Sequence, residues 1–390
     1  MEVHITLFLS LIYINTNSNT QYKHKKGEHM AYILSIGKSE PPYEISQTQV
    51  KGLVESLFPL TERDKKRLLP VFDNSMIEKR QFVVDQEWFK QPHGMRERNE
   101  IYIQEAYRHS LRAIDECLEN ELFLTGTVCF KEIDMIIFVS TTGLATPSME
   151  ARVMNARSFR EDVKRVPLFG LGCAGGVSGL ARAYDWVKAY PDKNVLVINV
   201  ELCSLTFQKT DSKKSNFVGT ALFGDGVSAV LVAGSQSELL GKKKQTTPVM
   251  GGTSSKTKKD SIDIMGWEIK DNGFEVIFNK SIPHLVKDFW KTHVQGFLVE
   301  WGMHQEELPF FVAHPGGKKV LEAYEEVLQL DQEAFRESYH VLAKHGNMSS
   351  VTVCYVLYEY MKSFPDAGTK SLMAALGPGF SSELISLEWY

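Results

Sequence analysis

A cysteine on a glycine-rich turn is the first candidate for chemistry in this sequence of 390 residues. Cys173 lies in a Gly-Cys-Ala-Gly-Gly motif, between a short apolar stretch and a segment of small residues that could begin a helix. A strand, a turn and a helix in that order would place the thiol at a helix N-terminus, where free N–H groups and the helix dipole favour an anion. Such a position lowers the pKa of a thiol and makes its thiolate a nucleophile. A buried structural cysteine, or a turn that cradles a phosphate, fits the same motif.

A histidine and an asparagine in the second half of the chain could complete such a site. His314 ends an apolar run and precedes a Pro-Gly-Gly turn, and the active-site groups of α/β sheets lie at the carboxyl ends of strands. This histidine could pair with a thiolate, or it could be structural. Asn347 precedes the apolar helix predicted over residues 351–361, where it could serve as an N-cap or donate its amide to a developing oxyanion.

The elements that would position these residues alternate between strand-like and helix-like patterns. Continuous apolar runs are typical of strands covered on both faces, and they occur at residues 31–37, 135–139, 195–200, 227–232 and 310–313. Apolar residues at spacings of three and four predict helices over residues 101–119 and 318–328. This alternation predicts an α/β fold.

The chain divides into two parts around a segment that lacks an apolar pattern. Serine, glycine and threonine replace the apolar pattern over residues 234–259, which indicates a soft boundary, and the run of three lysines at residues 242–244 predicts a solvated loop. We therefore expect an N-terminal half over residues 30–240 that holds the cysteine. A shorter C-terminal half over residues 241–390 would hold the histidine and the asparagine.

Composition and charge exclude several classes of protein. The hydrophobic content of 43% and the charged content of 24% are those of an ordinary globular protein. Lysine and arginine number 44 against 48 acidic residues, and the net charge of −4 argues against nucleic acid or a membrane surface as the partner. The 5 cysteines form no CxxC or Cys/His pattern, so we expect no metal site and reduced thiols in the core of a cytoplasmic protein.

The first residues do not match the rest of the chain. The apolar run at residues 5–14 is too short to span a bilayer, which takes about 20 residues. It also lacks the basic start of a secretory signal. We predict that residues 1–29 are a dispensable leader, and that a chain beginning at Met30 is as active and as stable as the full chain. A disordered extension with a use and a targeting segment are the alternatives.

The separate motifs together resemble those of the type III polyketide synthases, the chalcone and stilbene synthase family. Cys173, His314 in His-Pro-Gly-Gly and Asn347 in Gly-Asn-Met-Ser-Ser follow the order and spacing of the Cys–His–Asn triad of the thiolase superfamily. Further motifs that match the family lie at residues 74–80, 219–226 and 377–380. The resemblance covers the chain from about residue 31 onward.

The resemblance implies both a fold and a reaction. The fold would be thiolase-like, with five αβαβα layers built from two similar halves, and the protein would work as a homodimer. Cys173 would take an acyl group from an acyl-CoA thioester, and malonyl-CoA would lose CO₂ to give the enolate that attacks this acyl group. His314 and Asn347 would stabilise negative charge on the thioester oxygen. Because decarboxylation supplies the carbon nucleophile, the CoA thioesters are substrates and no cofactor is implied.

Four further positions bear on the substrate through the same resemblance. Phe223 matches a family phenylalanine between the CoA tunnel and the cavity, and Thr206 matches a position that lines the cavity. Val276 stands where plant chalcone synthases carry a second cavity phenylalanine, and Thr146 where they carry a methionine. Both changes remove bulk, which favours a long and flexible acyl starter and resembles the bacterial alkylpyrone synthases. Two basic residues, Lys79 and Arg80, fit either contacts with CoA phosphates or a solvated turn.

Two other functions compete with this interpretation. One is a different condensing enzyme of the thiolase fold, such as ketoacyl-ACP synthase III, and the other is a catalytically inactive homologue that acts as a scaffold. The Gly-Pro-Gly motif at residues 377–379 and Phe223 favour the polyketide branch, and the intact triad counts against the scaffold. Starter length, the number of malonyl extensions and the mode of cyclisation depend on the volume of the cavity.

Overall fold

The computed structural model describes residues 30–279 and 281–390, so the predicted leader at residues 1–29 lies outside the described residues. The strands are β1 (Ala31–Ser39), β2 (Tyr43–Ser46), β3 (Lys79–Phe82), β4 (Met135–Ser140), β5 (Lys164–Phe169), β6 (Asn194–Leu202), β7 (Asp225–Gly234), β8 (Pro248–Thr257), β9 (Met265–Lys270), β10 (Gly273–Phe278), β11 (Phe311–Ala313), β12 (Lys370–Gly377) and β13 (Ser381–Trp389). The helices are α1 (Gln47–Leu57), α2 (Glu62–Leu68), α3 (Pro70–Asp73), α4 (Met95–Glu119), α5 (Met149–Ala156), α6 (Gly175–Ala189), α7 (Lys214–Leu222), α8 (Ile282–Leu285), α9 (Lys291–Glu300), α10 (Lys318–Leu328), α11 (Arg336–His345) and α12 (Thr352–Lys362).

A large mixed sheet organises the described part of the chain. It has nine strands in the order β11-β12-β13-β8-β1-β7-β6-β4-β5. Strands from the first half of the chain lie together at one end of this order, and strands from the second half lie together at the other. The two groups join where β1 pairs with β8, at Ala31 with Met250 and Tyr32 with Val249.

Two helices lie between the two groups of strands. Helix α6 contacts β4, β6 and β7 from the first half and also β8, β12 and β13 from the second, and α12 contacts both β7 and β11. Helix α4 packs on β1, β6 and β7. Helices α9 and α10 share an apolar cluster with β11 to β13, built around residues such as Phe297, Leu321 and Phe311. The layers therefore run helix, sheet, helix, sheet, helix, as expected.

The strands and helices predicted from apolar patterns are present. A continuous apolar run predicts a strand because both faces of such a strand are buried. Every residue of β4, β6 and β7 is buried. Helix α10 spans Lys318–Leu328 as predicted, whereas α4 begins earlier than expected, at Met95. Its first turns carry mainly polar residues, which hide the helical spacing.

The soft boundary predicted over residues 234–259 is not a loop throughout, because its second part contains β8, which lies in the interior of the sheet. Small residues replace apolar ones in β8 for a steric reason. A Cβ atom on Gly252 would lie 1.9 Å from the ring of Trp301. The three lysines of this segment also have hydrogen-bond partners. Lys242 donates to the backbone carbonyl of Thr127, Lys243 to that of Tyr390 and Lys244 to that of Glu121.

Within residues 30–279 and 281–390, no helix combines the length and the apolar character needed to cross a membrane. The same residues contain no group of three or more histidine, cysteine, aspartate or glutamate side chains that could hold a metal ion.

Candidate active site

The cysteine turn has the geometry predicted for it. Strand β5 ends at Phe169, and Cys173 lies in the 3₁₀ turn Gly172–Ala174 that leads directly into α6. Gly172 has a φ of +48°, and a Cβ atom on it would lie 2.7 Å from ring carbons of Pro378. Its N–H donates to Thr141 Oγ1 at 3.0 Å. The glycine-rich motif therefore permits a close approach of the Gly-Pro-Gly motif to the nucleophile.

The amide of Asn347 lies beside the thiol. Its Oδ1 and Nδ2 atoms are 3.8 Å and 3.9 Å from Cys173 Sγ. Oδ1 accepts a hydrogen bond from the N–H of Ser349 at 2.8 Å, and Nδ2 donates to the carbonyl of Gly316 at 3.2 Å. The oxygen thus caps the following turn and fixes the amide, while the nitrogen remains a donor facing the site. The capping role considered for this asparagine is therefore present, and its role as an oxyanion donor stays a prediction.

His314 follows β11 and is almost fully buried. The backbone N–H of His314 donates to the carbonyl of Ala374 at 2.8 Å. The turn after His314 brings Gly316 against Asn347. Neither ring nitrogen has a hydrogen-bond partner among the residues that the structure describes. Burial lowers the pKa of His314 to about 3, so the ring is neutral at pH 7 and offers one donor and one acceptor.

Cys173 and Asn347 lie side by side, and the turn after His314 contacts Asn347 through Gly316. Cys173 follows β5 and His314 follows β11, and these strands are the opposite edges of the sheet. The site forms where the two groups of strands face each other across α6 and α12. The carboxyl ends of strands from both halves of the chain therefore supply one site.

Burial also decides the protonation of the nucleophile. Desolvation raises the pKa of the Cys173 thiol to about 11, outweighing the hydrogen bonds with Ser349 and Asn347, and the carboxylate of Glu201 raises it further. The lowered pKa predicted from the helix N-terminus is therefore wrong. A thiol in this state needs a proton acceptor before it can act as a nucleophile.

Two cavities meet beside the nucleophile. The smaller one contains Cys173, and the larger one lies beside it. Phe223, Trp267 and Val276 line both cavities, and we call these three side chains the shared wall. Within it, the ring centroids of Phe223 and Trp267 are 5.5 Å apart.

The predicted cavity residues are only partly found at these cavities. Phe223 and Val276 belong to the shared wall, and Thr206 lines the larger cavity. Thr146 is exposed and lines neither cavity in the single chain, so its role stays a prediction. The sequence reasoning missed Trp267. The signal that could have found it is its register, since Trp267 on β9 is the cross-strand partner of Val276 on β10.

Two predictions about solvent exposure are wrong, one for Arg80 and one for Cys129. Arg80 is fully buried, and its guanidinium donates to backbone carbonyls of residues 220, 221 and 223. It is therefore neither a phosphate contact nor part of a solvated turn, while Lys79 pairs with Glu44 at 2.6 Å. Cys129 is exposed, although all the cysteines other than the nucleophile were expected in the core.

The family model for the N-terminal domain of chalcone and stilbene synthases matches residues 17–236, and the model for their C-terminal domain matches residues 257–388. The chain belongs to the chalcone and stilbene synthase family. The first match begins inside the predicted leader. The sequence left two kinds of thiolase-fold enzyme open, a type III polyketide synthase and another condensing enzyme such as ketoacyl-ACP synthase III. Membership of this family favours the polyketide synthase.

Individual members of the family extend this comparison. A Bacillus subtilis (strain 168) protein, provisionally named as a chalcone synthase, is 45% identical over 361 residues, which are 92% of this chain and 99% of the relative. The 1,3,6,8-tetrahydroxynaphthalene synthase of Streptomyces peucetius subsp. caesius is 32% identical over 92% of this chain and 93% of its own length. The solved 1,3,6,8-tetrahydroxynaphthalene synthase of Streptomyces coelicolor A3(2), a bacterial type III polyketide synthase, superimposes with a TM-score of 0.83 at 26% identity. That match covers 92% of this chain and 99% of the Streptomyces chain.

These matches identify the chain as a type III polyketide synthase of the bacterial type, with the thiolase-like fold and the condensing acyltransferase chemistry of that class. The resemblance noted in the sequence is confirmed.

Proposed function

We propose that this synthase loads a fatty acyl group from acyl-CoA onto Cys173 and extends it with malonyl-CoA, giving alkylpyrones or related alkyl phenolics. The observation that carries the proposal is the larger cavity. It lies beyond the shared wall from the nucleophile, and its lining includes the apolar side chains of Val50, Leu53, Val54, Phe82, Phe89 and Phe207. A pocket with so many apolar side chains in its lining suits an apolar ligand.

The first step is acyl transfer to the cysteine. Cys173 Sγ attacks the thioester carbonyl of acyl-CoA as its proton passes to the neutral ring of His314. The carbon–sulfur bond to CoA breaks, and the proton returns from His314 to the leaving CoA thiolate. Asn347 Nδ2, held by the carbonyl of Gly316 at 3.2 Å, donates to the oxyanion that forms. Loss of one such donor typically lowers the rate by a factor on the order of 10² to 10³.

The second step makes the carbon–carbon bond. Malonyl-CoA loses CO₂, and the electron pair of the broken bond forms an enolate whose oxygen accepts hydrogen bonds from Asn347 and His314. The enolate carbon attacks the acyl group on Cys173, and the cysteine leaves as thiolate, which frees it for the next round. Since decarboxylation supplies the nucleophile, the proposed reaction needs no cofactor.

The acyl chain of the starter would run from Cys173 past the shared wall into the larger cavity. Each methylene buried there contributes about 0.8 kcal/mol, so a long chain gains binding energy that a short one does not. Val276 matters most in this path, because its small side chain stands in a wall otherwise made of aromatic rings.

A second candidate is assembly from malonyl units alone. The observation that favours it is the naming of two relatives as 1,3,6,8-tetrahydroxynaphthalene synthases. In that case the larger cavity would hold a growing polyketide instead of a fatty chain. Its polar lining residues, among them Thr206, Asn216 and Thr220, would then face the oxygens of the intermediate.

We further propose that the protein acts as a homodimer in the cytoplasm. We propose the homodimer because homodimers are typical of the family. The location follows the proposed substrates, because CoA thioesters are formed and consumed inside the cell. Size-exclusion chromatography with light scattering tests the first point directly.

The experiment that separates these functions supplies the pure protein with malonyl-CoA and with acyl-CoAs of graded length, and identifies the products by mass. Products that retain the intact fatty acyl group support the proposal. Products built only from malonyl units, with the acyl-CoA left unused, would favour the second candidate. An absence of both products and malonyl-CoA decarboxylation would point to the inactive scaffold.

A further inference from the structure

Helix α7 ends at the shared wall, and the carbonyls at this end all have partners. Those of Thr220, Ala221 and Phe223 accept hydrogen bonds from the guanidinium of Arg80 at 3.0, 2.9 and 2.9 Å. The carbonyl of Leu222 accepts from the backbone N–H of Asn347 at 2.8 Å. Because the last carbonyls of a helix have no partner within it, these bonds determine how α7 ends.

Arg80 is well suited to hold this helix end. Its relative exposure is 0%, and burial lowers its pKa to about 9, which leaves it protonated at pH 7. The positive charge lies at a helix C-terminus, where the helix dipole is negative. A planar guanidinium can also donate to several acceptors from one fixed position, which the ammonium group of lysine cannot. The buried carboxylate of Asp225 provides a counter-charge.

The same helix end is joined to the catalytic asparagine. Phe223 and Asn347 form an isolated parallel bridge, in which the N–H of Gly224 donates to the carbonyl of Asn347 at 3.0 Å. The packing around this bridge is close. A Cβ atom on Gly224 would lie 2.3 Å from the carbonyl oxygen of His345 and 3.2 Å from Arg80 Cβ. A displacement of the α7 end would therefore move Asn347 as well.

We propose that Arg80 is a positioning residue for the condensation, because its guanidinium fixes the end of α7 and thereby sets both the Phe223 ring and the Asn347 amide. The backbone of the turn that carries Cys173 is outside this link. That turn is held instead by Thr141 and Pro378. The inference rests on the proposed function, since its kinetic readout is malonyl-CoA decarboxylation.

The test compares Arg80→Lys and Arg80→Gln with Arg98→Lys as a matched control. Arg98 is also buried, but it donates to the carbonyls of Leu205 and His93, which lie outside α7. We expect kcat for malonyl-CoA decarboxylation to fall by about 10- to 100-fold in the Arg80 variants, because small misplacements of catalytic groups lower the rate by such factors. Alkylation of Cys173 by iodoacetamide, followed by peptide mass, should stay within about twofold. The control should lower Tm and leave decarboxylation within the same margin.

A merely structural role would give a different pattern. Decarboxylation that is unchanged in folded Arg80 variants would overturn the proposal, and so would a parallel loss of decarboxylation and alkylation. Failure of both variants to fold would assign Arg80 to stability and would also overturn it. A crystal structure of Arg80→Gln separates this proposal from the proposed function. Displaced Phe223 and Asn347 side chains support the positioning role even if the wild type proves unable to decarboxylate malonyl-CoA, and unmoved side chains contradict it.

Discussion

Pro378 occupies the space that a side chain on Gly172 would need, so that motifs from the two halves of the chain close together over the nucleophile. A Cβ atom on Gly172 would come within 2.7 Å of two ring carbons of Pro378. The φ of Gly172 is +48°, a region that residues with a side chain rarely adopt. Contact and conformation both require glycine immediately before Cys173.

Gly172→Ala should therefore lower both stability and activity. The left-handed backbone conformation alone costs an alanine about 1–3 kcal/mol, and the contact with Pro378 adds to this. The matched control is Gly52→Ala in α1, where a Cβ atom meets nothing within 4 Å. Urea unfolding should show a loss for Gly172→Ala and a gain of about 0.5–1 kcal/mol for Gly52→Ala. Equal effects of the two substitutions would contradict this packing.

Cys173→Ala should abolish acyl transfer and product formation while the protein stays folded, because alanine fits the volume of the buried thiol. Full turnover by this variant would refute the assignment of the nucleophile. Alkylation of the wild type by iodoacetamide adds a second check. The exposed Cys129 should react fastest, and Cys173 should react more slowly, because its thiol is buried but lines the smaller cavity. Cys117 and Cys354 are buried and line neither cavity, so they should not react. Peptide mass after digestion distinguishes these sites.

Val276→Phe should shorten the starters that the enzyme accepts. An added ring in the shared wall would occupy the path between the cavities, since Val276 lines both of them. We expect the ratio of kcat/KM for an acyl-CoA of about twelve carbons to that for a short one to fall by at least about tenfold, which takes only about 1.4 kcal/mol. Malonyl-CoA decarboxylation should hardly change, because the triad is untouched.

The control for this substitution is Ile269→Phe on the paired strand β9. Its side chain is 56% exposed, so the added ring should face solvent and leave the ratio unchanged. A ratio that is also unchanged in Val276→Phe would show that the acyl chain takes another path.

Glu201→Gln should change how stability depends on pH. Glu201 is fully buried and accepts hydrogen bonds from Thr141 N–H at 3.0 Å and Ser350 Oγ at 2.8 Å. Desolvation raises its pKa from 4.5 to about 7 in the folded chain. The folded state therefore binds the proton more tightly than the unfolded state. This contribution to stability is complete below the unfolded pKa and is lost as the pH rises through about 7.

The measurement is urea unfolding of the wild type and Glu201→Gln between about pH 5 and about pH 8. The free energy of unfolding of the variant, relative to the wild type, should increase over this range by up to about 3 kcal/mol, because a pKa raised by one on folding corresponds to about 1.36 kcal/mol. Taking the difference between the two proteins removes the titration of the buried histidines. A difference that does not vary with pH would mean that Glu201 is ionised throughout.

Much of the site follows from sequence, because its motifs record local geometry. Neighbouring residues in the sequence indicate three of its features: the glycine at positive φ before Cys173, the strand end before His314 and the capping asparagine at position 347. Continuous apolar runs likewise predict the buried strands β4, β6 and β7. These features depend on neighbours in the chain.

The features that were mistaken or missed depend on distant parts of the chain. Arg80 looks like a surface charge until α7 is placed over it, and only then do its acceptors appear. The raised pKa of Cys173 comes from burial between the two halves, which outweighs the local helix terminus. Strand β8 contains glycine because Trp301 lies against it, and the role of Trp267 depends on the register between β9 and β10.

The central claim is that a fatty acyl group is carried on Cys173 and then extended by malonyl-CoA. Intact-protein mass spectrometry after mixing with a long-chain acyl-CoA tests it most directly. The wild type should gain the mass of one acyl group, Cys173→Ala should gain none, and malonyl-CoA should then remove the group as a larger product that contains it. An acyl group that is absent from the wild type, present on Cys173→Ala, or retained unchanged after malonyl-CoA is added would contradict the account.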